Sequence, residues 1–108
     1  MSINWKSLWS GALRAADNII KAKAPSARAT LRSVARARER RLKLLLMALA
    51  DGALDKQAID DELADEEAIL AAEFCAINLL AKRTAQDAAN ALISTIKGAM
   101  LKGVDLVA

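Results

Sequence analysis

Residues 36–67 decide the fold, and their sequence is RARERRLKLLLMALADGALDKQAIDDELADEE. A basic segment runs into leucines at helical spacing, and an acidic segment follows the pair Asp51-Gly52. Glycine readily takes the left-handed conformation that ends many helices, so this pair predicts a turn between two helices. The stretch therefore predicts a helical hairpin in which residues 36–43 lie across from residues 60–67.

Helical periodicity continues on both sides of this hairpin. An amphipathic helix that carries both tryptophans is predicted over residues 2–24 and ends before Pro25, and a basic helix is predicted over residues 26–50. An acidic-to-apolar helix follows over residues 55–97, either unbroken or broken near Thr84, and residues 98–108 are expected to fray. No segment alternates apolar and polar residues for long enough to predict a strand. The predicted class is all-α, a single domain (1–108) forming a helical hairpin or a small open helical bundle.

Several classes of chemistry lack their usual residues. The chain has no histidine and one cysteine, Cys75, so neither a zinc or haem site nor a serine nucleophile with a histidine base can be built from the usual groups. A calcium loop starting at Asp51 would have Ala53 in a ligand position and Lys56 where glycine is required. We therefore predict a non-enzymatic protein with no catalytic residues, metal, cofactor or small-molecule substrate.

The apolar segments are too short or too charged to predict targeting to a membrane or to the secretory pathway. Trp5, Lys6, Trp9 and Arg14 interrupt the region where a secretory signal needs an apolar run. The most apolar stretch, residues 68–81, is shorter than a spanning helix and contains Glu73. These features predict a location in the cytoplasm or inside a viral particle.

Charge is strongly divided along the chain. Residues 1–50 contain eleven Lys or Arg and two acids, whereas residues 51–81 contain nine acids and one Lys. Basic helices of this kind bind nucleic-acid phosphates, or they pair with acids of their own hairpin or of a neighbouring subunit, and the sequence leaves these alternatives open. The candidate residues for anion binding, nucleic-acid binding or intramolecular charge pairing are Arg28, Arg32, Arg36, Arg38, Arg40, Arg41 and Lys43.

The first helix carries large apolar side chains on one face. Such a face suits a membrane surface or a groove on a partner protein, and it could also fold back onto the core of its own chain. The candidate residues for contact with a partner or a membrane are Trp5, Leu8, Trp9, Leu13 and Ile20.

The C-terminal half predicts a helix-packing interface. Alanine is common in the chain and fills little volume, so a core of this composition is thin and is often completed by oligomerisation. The candidate residues of this interface are Leu70, Phe74, Ile77, Ala81, Ala85, Ala89, Leu92 and Ile96. We therefore expect an oligomeric, non-enzymatic structural or assembly subunit of a bacterial or viral complex that acts by helix–helix packing with copies of itself or with other proteins. The alternatives are a nucleic-acid-associated protein that uses residues 28–43 and a membrane-surface protein that uses the first helix.

Overall fold

The computed structural model of this chain describes residues 2–78, 81–101 and 105–107. These residues form a short strand β1 (Ser2–Asn4), helix α1 (Trp5–Lys23), a 3-10 turn (Pro25–Ala27) and helix α2 (Arg28–Ala50). Helix α3 (Lys56–Asn78), helix α4 (Lys82–Leu101) and a short strand β2 (Asp105–Val107) follow. The four helices pack against one another, which confirms the predicted all-α class.

Local signals in the sequence account for most helix ends. The Asn4 side chain accepts a hydrogen bond from the Ser7 N–H at 3.2 Å and so caps the start of α1. Pro25 stands at the first position of the 3-10 turn that separates α1 from α2, as its fixed φ and missing N–H favour. Asp55 caps α3 through a 2.8 Å hydrogen bond that its side chain accepts from the Ala58 N–H.

The predicted turn at Asp51-Gly52 is present. Helix α2 ends at Ala50, and Gly52 has a φ of 76°, a left-handed value that costs glycine little. The Ala53 N–H reaches back to the Ala48 carbonyl at 2.9 Å, so carbonyls left unpaired at the end of α2 gain a donor. The chain reverses here, and α2 packs against α3 as a hairpin.

The region predicted as one helix or two is divided before Thr84. Helix α3 ends at Asn78 and α4 begins at Lys82, with residues 79 and 80 outside the described part of the chain. The predicted frayed tail needs correction, because α4 continues to Leu101 and β2 pairs in parallel with β1. The two strands have three residues each and lie far apart in the sequence, so no local alternation pattern could predict that they pair.

Helix α4 lies between α1 and α3, while α2 packs on α3 and on α1. Because β1 leads into α1 and β2 follows α4, the strand pairing brings the start of α1 to the end of α4, and the two helices run antiparallel. Fully buried alanines on both helices allow close approach. Larger side chains, including Leu31, Leu46, Leu63, Phe74 and Ile93, fill the space between the helices.

Candidate interaction surfaces

The two tryptophans lie in the core. Trp5 and Trp9 are only 3% and 7% exposed, and their rings stack with centroids 5.9 Å apart. The Trp5 indole N–H donates to the Glu39 carboxylate at 2.9 Å. The buried donor on α1 therefore has an acceptor on α2. Ile20 is fully buried, and Leu8 and Leu13 are half-buried. The interpretation of these five residues as a membrane or partner contact is therefore corrected, because neighbouring helices of the same chain cover the apolar face.

The basic residues of α2 fall into three groups, and the first lies at the start of the helix. Arg28 donates from Nε and Nη2 to the two carboxylate oxygens of Asp17, at 2.9 and 2.7 Å. Arg32 contributes a longer contact to the same carboxylate at 3.4 Å. These hydrogen bonds link α1 to the start of α2 across the 3-10 turn, so both arginines stabilise the packing of the two helices.

The bidentate contact changes the acidity of Asp17. Hydrogen bonding from Arg28 lowers the pKa of Asp17 below its ordinary value, although burial of the carboxyl group acts in the opposite direction. A carboxyl group with a depressed pKa in the folded state stabilises the fold above the pKa of the unfolded chain, about 3.9. This stabilisation is lost as the pH falls through the folded-state pKa.

We expect Asp17→Asn to be less stable than the wild type at pH 7 and to approach the wild type in acid. The charge-assisted hydrogen bonds are worth about 1.5 kcal/mol in total after allowance for the exposed arginines. Urea unfolding at pH 7 and at about pH 2.5 measures the difference between the two proteins, and the other carboxyl groups cancel in that difference. A difference that stays constant with pH would show that the Asp17 charge does not stabilise the fold.

The second group of arginines crosses the hairpin. Arg38 donates from Nε and Nη2 to Glu66 at 2.7 to 2.9 Å, and Arg41 donates to Glu62 at 3.1 Å and lies 3.6 Å from Glu66. Glu66 is buried, with 5% of its side chain exposed, whereas Arg38 is 26% exposed. Among the alternatives that the sequence leaves open for residues 36–43, these two arginines pair with acids of residues 60–67 in their own chain.

The third group faces away from α3. Arg36 and Arg40 are exposed and Lys43 is half-buried, and within the described residues none of them forms an ion pair. An α-helix turns by about 100° per residue, so positions 36, 40 and 43 share a side that positions 38 and 41 do not. Of the seven candidate residues, Arg36, Arg40 and Lys43 are therefore the ones without an ion pair within the described residues.

A basic groove, which includes Lys6, Ser10, Arg14, Arg32 and Arg36, runs along the exposed side of α1 and reaches α2 at Arg32 and Arg36. It consists of two adjoining cavities of about 390 and 290 Å³, which share Ser10 and Arg14 as lining residues. The first three residues come from α1 and were not predicted as a site. Their four-residue spacing on the polar side of α1 was the available signal, but the sequence did not show which helix they would face.

The predicted helix-packing residues lie mainly inside the bundle. Leu70 and Phe74 of α3 and Ala85, Ala89, Leu92 and Ile96 of α4 are buried in the core of the chain itself. Ala81 is exposed, and the side chain of Ile77 lies outside the described residues. The large residues of this set therefore pack within one chain, because α1, α3 and α4 close around them.

Helix α3 still presents an apolar surface to solvent. We define the outer face of α3 as Ala68, Ile69, Ala72 and Ala76, all of which are exposed and lie on one side of the helix. Next to it is a groove of about 400 Å³ whose lining includes Ala68, Ala72 and Ala76 together with Cys75, Lys82 and Gln86. Ile69 is 38% exposed, and among the large apolar residues of the described chain Leu44 and Met47 of α2 are more exposed, at 48% and 41%.

Two further properties of the described residues bear on function. Across residues 2–78, 81–101 and 105–107, none of the helices has the length and hydropathy needed to cross a membrane. In the same ranges, no three Cys, Asp or Glu side chains converge in a way that could hold a metal ion.

The described residues thus form a basic groove on α1 and α2 and an exposed apolar face on α3. No known protein family, curated protein or solved structure matches this chain.

Proposed function

We propose that this protein is a non-enzymatic structural or assembly subunit that associates with a second copy of itself through the outer face of α3. The observation that supports the proposal is the row of exposed apolar side chains at positions 68, 69, 72 and 76, beside an apolar groove. Removing apolar surface from water stabilises an interface by about 25 cal/mol per Å². The alanines of the row let a second helix approach closely, and Ile69 supplies a larger side chain.

The charges at the two ends of this face favour a two-fold arrangement. Asp65 precedes the apolar row and is exposed, while Lys82 lines the groove near its other end. Neither residue forms an ion pair within the described part of the chain. A two-fold dimer brings the same patch of each copy together, so antiparallel α3 helices would set Asp65 of one copy towards Lys82 of the other.

We expect the wild-type protein to associate at micromolar concentration and Ile69→Glu to remain a monomer. The substitution sets a carboxylate in the middle of the apolar row, where burial against a second copy would leave the charge unpaired. Sedimentation or light scattering over a wide concentration range measures the mass. The matched control is Leu44→Glu, because Leu44 of α2 is 48% exposed and lies on another helix.

Charge reversal tests the proposed orientation separately. Asp65→Lys should weaken association, and the added change Lys82→Glu should restore it, because opposite charges would again meet across the two-fold axis. A wild-type protein that stays monomeric would contradict the proposal, as would a Leu44→Glu variant that dissociates while Ile69→Glu does not. Failure of the charge rescue alone would contradict the antiparallel arrangement.

A further inference from the structure

We propose that the basic groove between α1 and α2 binds the phosphate backbone of a nucleic acid without sequence preference. The groove lies on different helices from the outer face of α3, so this inference does not depend on self-association. It differs from a site made of the basic residues of α2 alone, because most of its lining residues belong to α1.

The cations near the groove differ in whether they are paired with a carboxylate of the chain. Arg28, Arg38 and Arg41 are engaged by carboxylates of their own chain. Lys6, Arg14 and Arg36 are exposed and form no ion pair within the described residues. Arg32 is shared, because one of its nitrogens lies 3.4 Å from Asp17 while 59% of its side chain is exposed.

The acids near the groove are already occupied. Asp17 is buried and accepts hydrogen bonds from two arginines. Glu39 is half-buried and accepts the indole N–H of Trp5. The groove itself is lined by cationic, hydroxyl, glycine and leucine residues and by no carboxylate within the described residues. An anion that enters it would therefore meet positive charge on both walls.

The arrangement of the cations suits a linear polyanion. Lys6, Ser10 and Arg14 occupy successive turns of α1, and Arg32 and Arg36 occupy successive turns of α2. With a rise of about 1.5 Å per residue, the α1 wall extends for about 12 Å. A row of this length can contact several phosphates in succession, whereas a single phosphate would use one end of it.

The lining residues favour backbone contacts over base recognition or lipid binding. Among the described residues, no aromatic, Asn or Gln side chain lines the groove, and these are the groups that stack on bases or read their edges. Apolar side chains that insert beside the cations strengthen binding at a membrane surface, whereas Leu13, which is half-buried, is the one large apolar residue among the described lining residues of the groove. Phosphate contacts alone hold a protein on nucleic acid but do not select a sequence.

The test is fluorescence anisotropy with a labelled DNA duplex of arbitrary sequence, a scrambled duplex and vesicles of anionic phospholipid. For about four phosphate contacts, log affinity against log salt should slope near −3.6, a loss of about a hundredfold between about 50 and 200 mM salt. The scrambled duplex should bind with the same affinity. Arg14→Glu/Arg36→Glu should weaken binding at least about tenfold and reduce the salt slope by about 2.

The matched control is Lys23→Glu/Lys56→Glu, which changes the net charge equally at two exposed lysines outside the groove. Circular dichroism checks that both double variants remain helical. We expect the control to bind DNA within about threefold of the wild type. Equal losses in the two variants, no binding at about 50 mM salt, or binding to vesicles but not to DNA would each overturn the proposal.

Discussion

Replacing Arg38 by methionine is expected to lower the free energy of unfolding by about 3 kcal/mol. The guanidinium group makes a bidentate contact to Glu66, whose side chain is 5% exposed. Without Arg38, this carboxylate keeps only Arg41, whose Nε lies 3.6 Å away. A buried charge that loses its partner still bears its desolvation cost, so the loss exceeds what an exposed ion pair would contribute. Urea unfolding followed by circular dichroism measures the change.

Adding Glu66→Leu to Arg38→Met should recover most of this loss. The double variant replaces the ion pair by two apolar side chains of similar length, an exchange that is often neutral or stabilising. The control is Arg40→Met, which alters an exposed arginine of the same helix and should change stability by less than about 0.5 kcal/mol. The free energy of unfolding lost in the double variant is compared with the sum of the losses in Arg38→Met and Glu66→Leu. If the two are equal, Arg38 and Glu66 do not couple, and they do not join the two helices of the hairpin.

Trp5→Ala is expected to lower the free energy of unfolding by about 3 to 5 kcal/mol. The indole is 3% exposed, stacks on Trp9 and donates a hydrogen bond to Glu39, so its removal leaves a cavity and takes one donor from the half-buried carboxylate. Chemical denaturation measures the loss. Lys6→Ala, at the adjacent exposed position, serves as the control and should stay within about 0.5 kcal/mol of the wild type.

The same burial predicts how the tryptophans respond to a membrane. In the folded protein both indoles are shielded from water, so their fluorescence should not shift when vesicles of anionic phospholipid are added. A Trp5→Ala variant as stable as the wild type, or a marked shift with vesicles, would contradict the buried position of the indoles. The second result would restore the membrane interpretation of the first helix.

Local patterns in the sequence were sufficient for the fold class and for several helix boundaries. Pro25 separates α1 from α2, and Gly52 ends the hairpin helix with a left-handed φ, as each residue's backbone preferences dictate. The opposed charges of residues 36–43 and 60–67 left open whether the two segments pair, and in the structure Arg38 and Arg41 do contact Glu66 and Glu62. The predictions of helix boundaries succeeded because they depend on neighbours in the sequence.

The sequence predicted only the two α2 residues of the basic groove. Arg32 and Arg36 belong to the predicted basic row, whereas Lys6, Ser10 and Arg14 join them only because α1 packs beside α2. The helical phase of each arginine could be counted from the sequence, but the side of α2 that α3 would cover could not. Packing between helices decides that side, because it depends on the summed burial of all four helices rather than on one periodic pattern.

Short-range preferences in the sequence thus account for the helices, the turns and the division of charge along the chain. The burial of Trp5 and Trp9 depends on how the helices pack. The same packing pairs Arg38 and Arg41 with carboxylates, whereas Arg36 remains exposed, and it brings β1 and β2 together. These two sets of features depend on interactions that act over different distances along the sequence. Backbone preference and helical periodicity act over a few residues, whereas burial and ion pairing depend on contacts between segments far apart in the chain.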